Sequence, residues 1–126
     1  MDTTELIELA KKARENAYAP YSRFRVGAAV YACGKVYTGC NIENASYGLT
    51  MCAERVAIFK AVSEGCRKIE SIAIYADRMP YPCGACLQVM TEFCQEDCVV
   101  IVASENKIER VYLRDLLPKP FLKDAL

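Results

Sequence analysis

CAERVAIFKAVSEGCRKIESIAIYADRMPYPCGACLQVMTEFCQEDCVVIVA, residues 52–103, decides the fold. Cys52 to about Ser63 reads as a helix, with Val56, Phe59 and Val62 spaced for burial and Gly65 as its stop. Ile69–Ala76 reads as a strand. Pro82 stands where a helix begins, and Leu87, Val89, Met90 and Phe93 give the next segment a helical apolar face. Val99–Ala103 is a continuous apolar run, the pattern of a strand buried on both sides. Helix, strand, helix, strand in that order implies parallel pairing with right-handed crossovers.

Working outward, Asp2 to about Tyr18 is expected to be helical. Asp2 and Glu5 can form a capping box, and Leu6, Leu9, Ala10, Ala13 and Ala17 share a face. Pro20 ends that helix. Phe24–Ala32 alternates as a strand, with Val26, Ala28 and Val30 on one side. The turn Cys33-Gly34-Lys35 leads into Val36–Cys40, which predicts an antiparallel hairpin. Asn41–Gly48 is a polar loop. Ile108–Leu113 is a further strand, followed by a short turn over Leu113–Leu117 and then Pro118. The expected fold is α/β, a three-layer α/β/α sandwich on a mixed sheet of about five strands, with residues 1–126 forming one domain.

Composition narrows the function. Lys plus Arg and Asp plus Glu each number 16, so the formal charge is zero and no basic patch marks a nucleic-acid polymer as partner. There is no signal-peptide pattern at Met1-Asp2-Thr3-Thr4-Glu5 and no run of about 18 apolar residues, so the expected location is cytoplasmic, away from membranes. The eight cysteines then call for an explanation other than a secretory disulfide framework. The chain has no histidine, which excludes Ser-His-Asp and Cys-His catalysis and His-ligated zinc. Acid–base chemistry near neutral pH falls to a tuned carboxylate, a tyrosine, a lysine or water on a metal.

Two motifs carry that chemistry. Cys52-Ala53-Glu54-Arg55 opens one helix and Pro82-Cys83-Gly84-Ala85-Cys86 opens the next. Cys83 and Cys86 lie in one helical turn and can face one point. Cys52 can add a third sulfur from the other helix start, leaving one open position on a zinc ion. Free N–H groups and the helix dipole favour thiolates there. Three thiolates on Zn²⁺ leave a net charge of minus one, and Arg55 is placed to offset it by hydrogen-bonding ligand sulfurs. Glu54 is too close to Cys52 to join the ligands easily. Its carboxylate can reach the open position, take a proton from water and return it to a substrate nitrogen. Cys33, Cys40, Cys66, Cys94 and Cys98 have no comparable setting and read as core or surface thiols.

These residues resemble the zinc nucleoside deaminases, in particular the small homotetrameric cytidine deaminases. The likeness runs through Tyr18-Ala19-Pro20-Tyr21-Ser22, Phe24, Val26-Gly27-Ala28-Ala29 and Gly39-Cys40-Asn41-Ile42-Glu43-Asn44-Ala45. It continues through both metal motifs to Leu116-Leu117-Pro118 and Phe121. The resemblance implies one Zn²⁺ per subunit on Cys52, Cys83 and Cys86, with Glu54 as proton shuttle. It implies that Asn41 and Glu43 hold the ribose hydroxyls, that Ala45 and Tyr47 close around the sugar, and that the Ala53 N–H faces the pyrimidine carbonyl. Phe24 would line the base pocket, and Phe121 would reach a neighbouring subunit's site. The implied reaction converts cytidine and 2′-deoxycytidine to the uridines with loss of ammonia, in pyrimidine salvage. Asp77–Tyr81 is short for the family. Tyr81, Leu87 and Val56 stand where serine, arginine and threonine are common.

Three other readings make different demands. A deaminase of another aminopyrimidine, such as blasticidin S, would prefer that substrate to cytidine. A zinc-stabilised interaction module would have a closed site indifferent to Glu54. A thiol–disulfide oxidoreductase using Cys83 and Cys86 would keep its activity under chelation.

Overall fold

The computed structural model describes residues 1–126, the side chain of Glu96 excepted. Helix α1 (Thr3–Arg14) precedes strands β1 (Gly27–Ala32) and β2 (Lys35–Cys40). Helix α2 (Ala53–Ser63), strand β3 (Ile69–Tyr75), helix α3 (Gly84–Phe93), strands β4 (Cys94–Ala103) and β5 (Ile108–Tyr112) and the short helix α4 (Leu113–Leu116) follow. The five strands form one sheet in the order β2-β1-β3-β4-β5. β3 and β4 pair in parallel, and β1–β2, β1–β3 and β4–β5 are antiparallel, so the sheet is mixed as expected.

Strand alternation divides the core in two. Ala29, Ala73, Tyr75, Ile101 and Ala103 meet Leu6, Ile7 and Ala10 of α1 on one face. Ala28, Val30, Ile72, Ile74, Val100 and Val102 meet Ala57, Ile58, Cys86, Leu87 and Met90 of α2 and α3 on the other. These are the three layers of the sandwich. No helix among the described residues is long and apolar enough to cross a membrane.

Several elements depart from the sequence expectations. Asp2 does cap α1, accepting from the Thr4 N–H at 3.4 Å, but the helix stops at Arg14 and not near Tyr18. Tyr18 instead bonds the backbone of the polar loop, donating to Asn41 O at 3.0 Å and accepting from Glu43 N at 2.8 Å. β1 begins at Gly27 and not at Phe24. The Asn41 side chain takes the place of a neighbouring strand over Phe24–Val26, accepting from Val26 N at 2.8 Å and donating to Phe24 O at 2.7 Å. β4 starts at Cys94, ahead of Val99, and its register against β3 shifts between Ile69 and Ser71.

The buried face of α2 also differs. Ala53, Ala57, Ile58 and Ala61 are buried, Val56 and Val62 are half-buried, and Phe59 is exposed. The cause is the close approach of β2, where a Cβ on Gly39 would stand 2.6 Å from Ala57 N and 2.7 Å from Ala53 O. The small side chains of Ala53 and Ala57 let backbone meet backbone there, with Val56 packed beside them.

Gly27 is packed still more tightly, since a Cβ there would lie 1.9 Å from Ala10 O. Gly27→Ala must push α1 off the sheet and is expected to cost about 3 kcal/mol. Urea denaturation is the check, and an unshifted midpoint would refute the packing.

Cys33 and Cys66, read above as separate thiols, are joined in a disulfide with Cα atoms 6.1 Å apart. The two-residue turn places Cys33 and Gly34 at φ of 52° and 74°, and Ala32 pairs with Ile69 of β3. The hairpin tip therefore lies beside the start of β3, where Cys66 sits, a proximity that separation along the chain conceals. The bridge closes a loop over 33 positions. In the chain-entropy account, reduction is expected to lower stability by on the order of 3 kcal/mol. Denaturation with and without dithiothreitol, repeated on Cys33→Ser, measures it. Equal midpoints would contradict the expectation.

Candidate metal centre and cleft

α2 and α3 pack against the same face of the sheet, and their starts lie side by side. Cys52 is the N-cap of α2 and Cys83 is the N-cap of α3. The Cys83 sulfur accepts from the Cys86 N–H at 3.5 Å, one turn further on. The sulfurs of Cys52, Cys83 and Cys86 all lie within 4.8 Å of one another, and those of Cys52 and Cys83 are 3.8 Å apart. Thiolates at about 2.3 Å from a tetrahedral zinc stand roughly 3.8 Å apart. The donor set thus fits a soft divalent cation.

Electrostatics agree with that fit. Arg55 donates through Nη2 to the Cys52 sulfur at 3.4 Å. The Cys86 thiol foremost, then Arg55 and Cys83, hold Cys52 down at about 5 against the cost of its burial. Cys86 is pushed above the ordinary thiol range, first by Cys52 beside it and then by burial. The first thiolate forms readily and its charge opposes the next. A divalent cation at the centre of the three sulfurs removes that opposition.

Glu54, the second residue of α2, is 4% exposed. Burial pushes its carboxyl up to about 7, partly offset by its own backbone N–H at the helix start. A group at that value exchanges protons in both directions near neutral pH.

Cys52, Ala53, Glu54 and Cys83 lie in a cleft of about 380 Å³, whose walls include Phe24, Asn41, Glu43 and Tyr47. Glu43 is buried. Its carboxylate accepts from Tyr21 N at 2.9 Å and Ser22 N at 3.1 Å, and from the Ser22 hydroxyl. Burial alone would raise its pKa, but those bonds hold it below the usual carboxylate range. Asn41 and Glu43 therefore organise the cleft wall, and each keeps some hydrogen-bonding capacity. Tyr47 packs edge-on against Tyr21, with ring centroids 6.3 Å apart.

The remaining sequence candidates lie outside the cleft wall. Cys86 is buried, and Arg55 is packed against the sulfurs. Ala45 is exposed and does not line the cleft. Phe121 is exposed, its backbone tied to the Gln88 side chain by bonds of 2.5 Å and 3.1 Å. Sequence reasoning missed Ser22, Thr50, Arg78, Pro80 and Tyr81, which also line the cleft. Ser22 was visible as part of the Tyr18–Ser22 stretch, and Arg78 and Tyr81 as departures in a short loop. Thr50 carried no signal. Its Oγ1 is buried without a partner among the described residues.

The profile of the family described as "Cytidine and deoxycytidylate deaminase zinc-binding region" matches residues 1–102. The chain belongs to that family. A cytidine deaminase from Halalkalibacterium halodurans is 53% identical over 130 aligned positions, spanning 100% of this chain and 98% of the relative. The crystal structure of a cytidine deaminase from Burkholderia pseudomallei superposes with a TM-score of 0.92 at 46% identity, covering 96% of this chain and all of the other. A blasticidin-S deaminase from Bacillus cereus is more distant, 28% identical over 95% of this chain and 92% of its own length. The family's zinc-binding character agrees with the sulfur cluster found here.

Proposed function

We propose that this chain hydrolyses cytidine and 2′-deoxycytidine to uridine and 2′-deoxyuridine, releasing ammonia. The observation that carries the proposal is a buried carboxyl, raised to about 7, next to three converging sulfurs at one cleft. Zinc, one per subunit on Cys52, Cys83 and Cys86, supplies the Lewis acidity that makes water nucleophilic near neutral pH.

The rest is the work of side chains and backbone. Glu54 accepts the proton of the water attacking C4 and delivers one to ring nitrogen N3. It then takes the remaining proton from the new C4 hydroxyl and passes it to the exocyclic amine, which leaves as ammonia, so water and cytidine balance uridine and ammonia. Burial supports this role, because the same group must hold and release a proton in one cycle. Arg55 donates to the Cys52 sulfur and partly neutralises the three thiolates that would hold the metal. The Ala53 N–H, at a helix start, donates to the pyrimidine carbonyl.

Phe24 lies against the base. Asn41 and Glu43 hold the ribose hydroxyls with the donor and acceptor capacity their backbone partners leave free. Tyr47 and Ala45 bound the sugar. In a cytoplasmic homotetramer, Phe121 would complete a neighbour's site, a role suited to its exposed ring. A hydrolysis of this kind would serve pyrimidine salvage.

Metal analysis paired with an ultraviolet assay tests the proposal. About one zinc per chain and loss of the cytidine absorbance are expected. Reduced protein without zinc, or faster turnover of blasticidin S than of cytidine, would refute it.

A further inference from the structure

The loop between β3 and α3 is anchored at several residues. Asp77 pairs with Arg14 of α1 at 2.7 Å. Met79 packs against the core, Pro80 is buried, and the Tyr81 hydroxyl faces Glu109 of β5. Arg78 is the exception. Its guanidinium carbon lies 4.4 Å from the centroid of the Phe24 ring, and the residue lines the cleft.

A guanidinium over an aromatic face uses its flat side for that contact and keeps its in-plane N–H groups for other acceptors. Among the described residues Arg78 has no carboxylate partner, since the ion pair in this loop belongs to Asp77 and Arg14. Arg78 is also the one cation among the residues lining the cleft, where the other charged groups are Glu43 and Glu54. The loop's anchors fix the backbone on both sides of it. The contact with Phe24 is thus a positioned feature of the wall, with donors unspent.

We propose that Arg78 is a substrate-positioning residue. Stacked on Phe24, its guanidinium forms the outer wall of the cleft and donates to an oxygen of the bound pyrimidine nucleoside. This rests on the deaminase reading above. Arg78 touches no atom that changes bonding, so its effect falls on binding and leaves the chemical step alone. Lysine would keep the charge but lose the planar stack with simultaneous in-plane donation.

The test compares wild type, Arg78→Ala and Arg78→Lys by steady-state cytidine deamination, calorimetric binding of uridine and thermal denaturation. Loss of a partly exposed charge-assisted hydrogen bond should raise KM for cytidine and Kd for uridine about tenfold in Arg78→Ala. Turnover number and melting temperature should hold, and Arg78→Lys should recover part of the binding. An Arg78→Ala protein with KM and Kd within twofold of wild type would overturn the proposal. So would a loss confined to kcat or accompanied by a lower melting temperature. A zinc-loaded wild type that leaves cytidine unchanged defeats the deaminase reading as well. An active wild type with an indifferent Arg78→Ala defeats the role of Arg78 alone.

Discussion

Glu54→Gln is expected to retain zinc and lose about a thousandfold in kcat. The amide has the shape of the carboxyl and still accepts and donates hydrogen bonds, but it cannot carry a proton from water to N3. No nearby group can replace it. Histidine is absent from the chain. The other carboxylate in the cleft, Glu43, is bound to Tyr21 and Ser22 and held below the usual carboxylate range. Ammonia release and metal content, measured on the same preparation, are the readouts. A variant within tenfold of wild type, with zinc bound, would remove Glu54 from the mechanism.

Cys83→Ala is expected to abolish both zinc binding and turnover while leaving the metal-free fold near its wild-type stability. The reasoning is local. Cys83 is exposed, and its sulfur makes two long contacts, with the Cys86 N–H at 3.5 Å and the Cys52 sulfur at 3.8 Å, so the helix cap loses little. The metal loses one of three sulfurs that lie within 4.8 Å of one another. Two thiolates and water make a much weaker site than three. Zinc content below about a tenth of wild type is expected, with activity falling at least a thousandfold. Circular dichroism of both apo proteins separates metal loss from misfolding. A variant that keeps stoichiometric zinc would show that Cys83 lies outside the metal centre. Activity that persists after metal removal would point to thiol chemistry at Cys83 and Cys86.

The same sequence segments that carry the chemistry also organise the fold, which is why both were legible early. Apolar periodicity over residues 52–103 required two helices alternating with two strands, and a parallel β3–β4 pair follows from that order. Cys52 and Cys83 were recognisable as ligand candidates because they stand at helix starts, where N–H groups and charge compensation are predictable from local sequence. The glycine-containing turn at Cys33-Gly34 likewise announced its hairpin.

Periodicity failed where the deciding contact came from far along the chain. In α2, Val56, Phe59 and Val62 form as good an apolar stripe as Ala53, Ala57 and Ala61. The alanines are buried because Gly39 brings β2 close against the helix backbone at Ala53 and Ala57, where small side chains fit. Asn41 replaced a strand partner for Phe24–Val26 by a side-chain bond pair that no local pattern encodes.

Local order in the chain was enough to specify a mixed α/β sandwich, the two helix starts and the three sulfurs with a carboxyl beside them, since caps, turns and apolar spacing act within a few residues. Long-range packing alone settled the Cys33–Cys66 bridge, the small-residue face of α2 and the placement of Arg78 over Phe24. Each of those depends on steric contact between segments that only the folded sheet brings side by side.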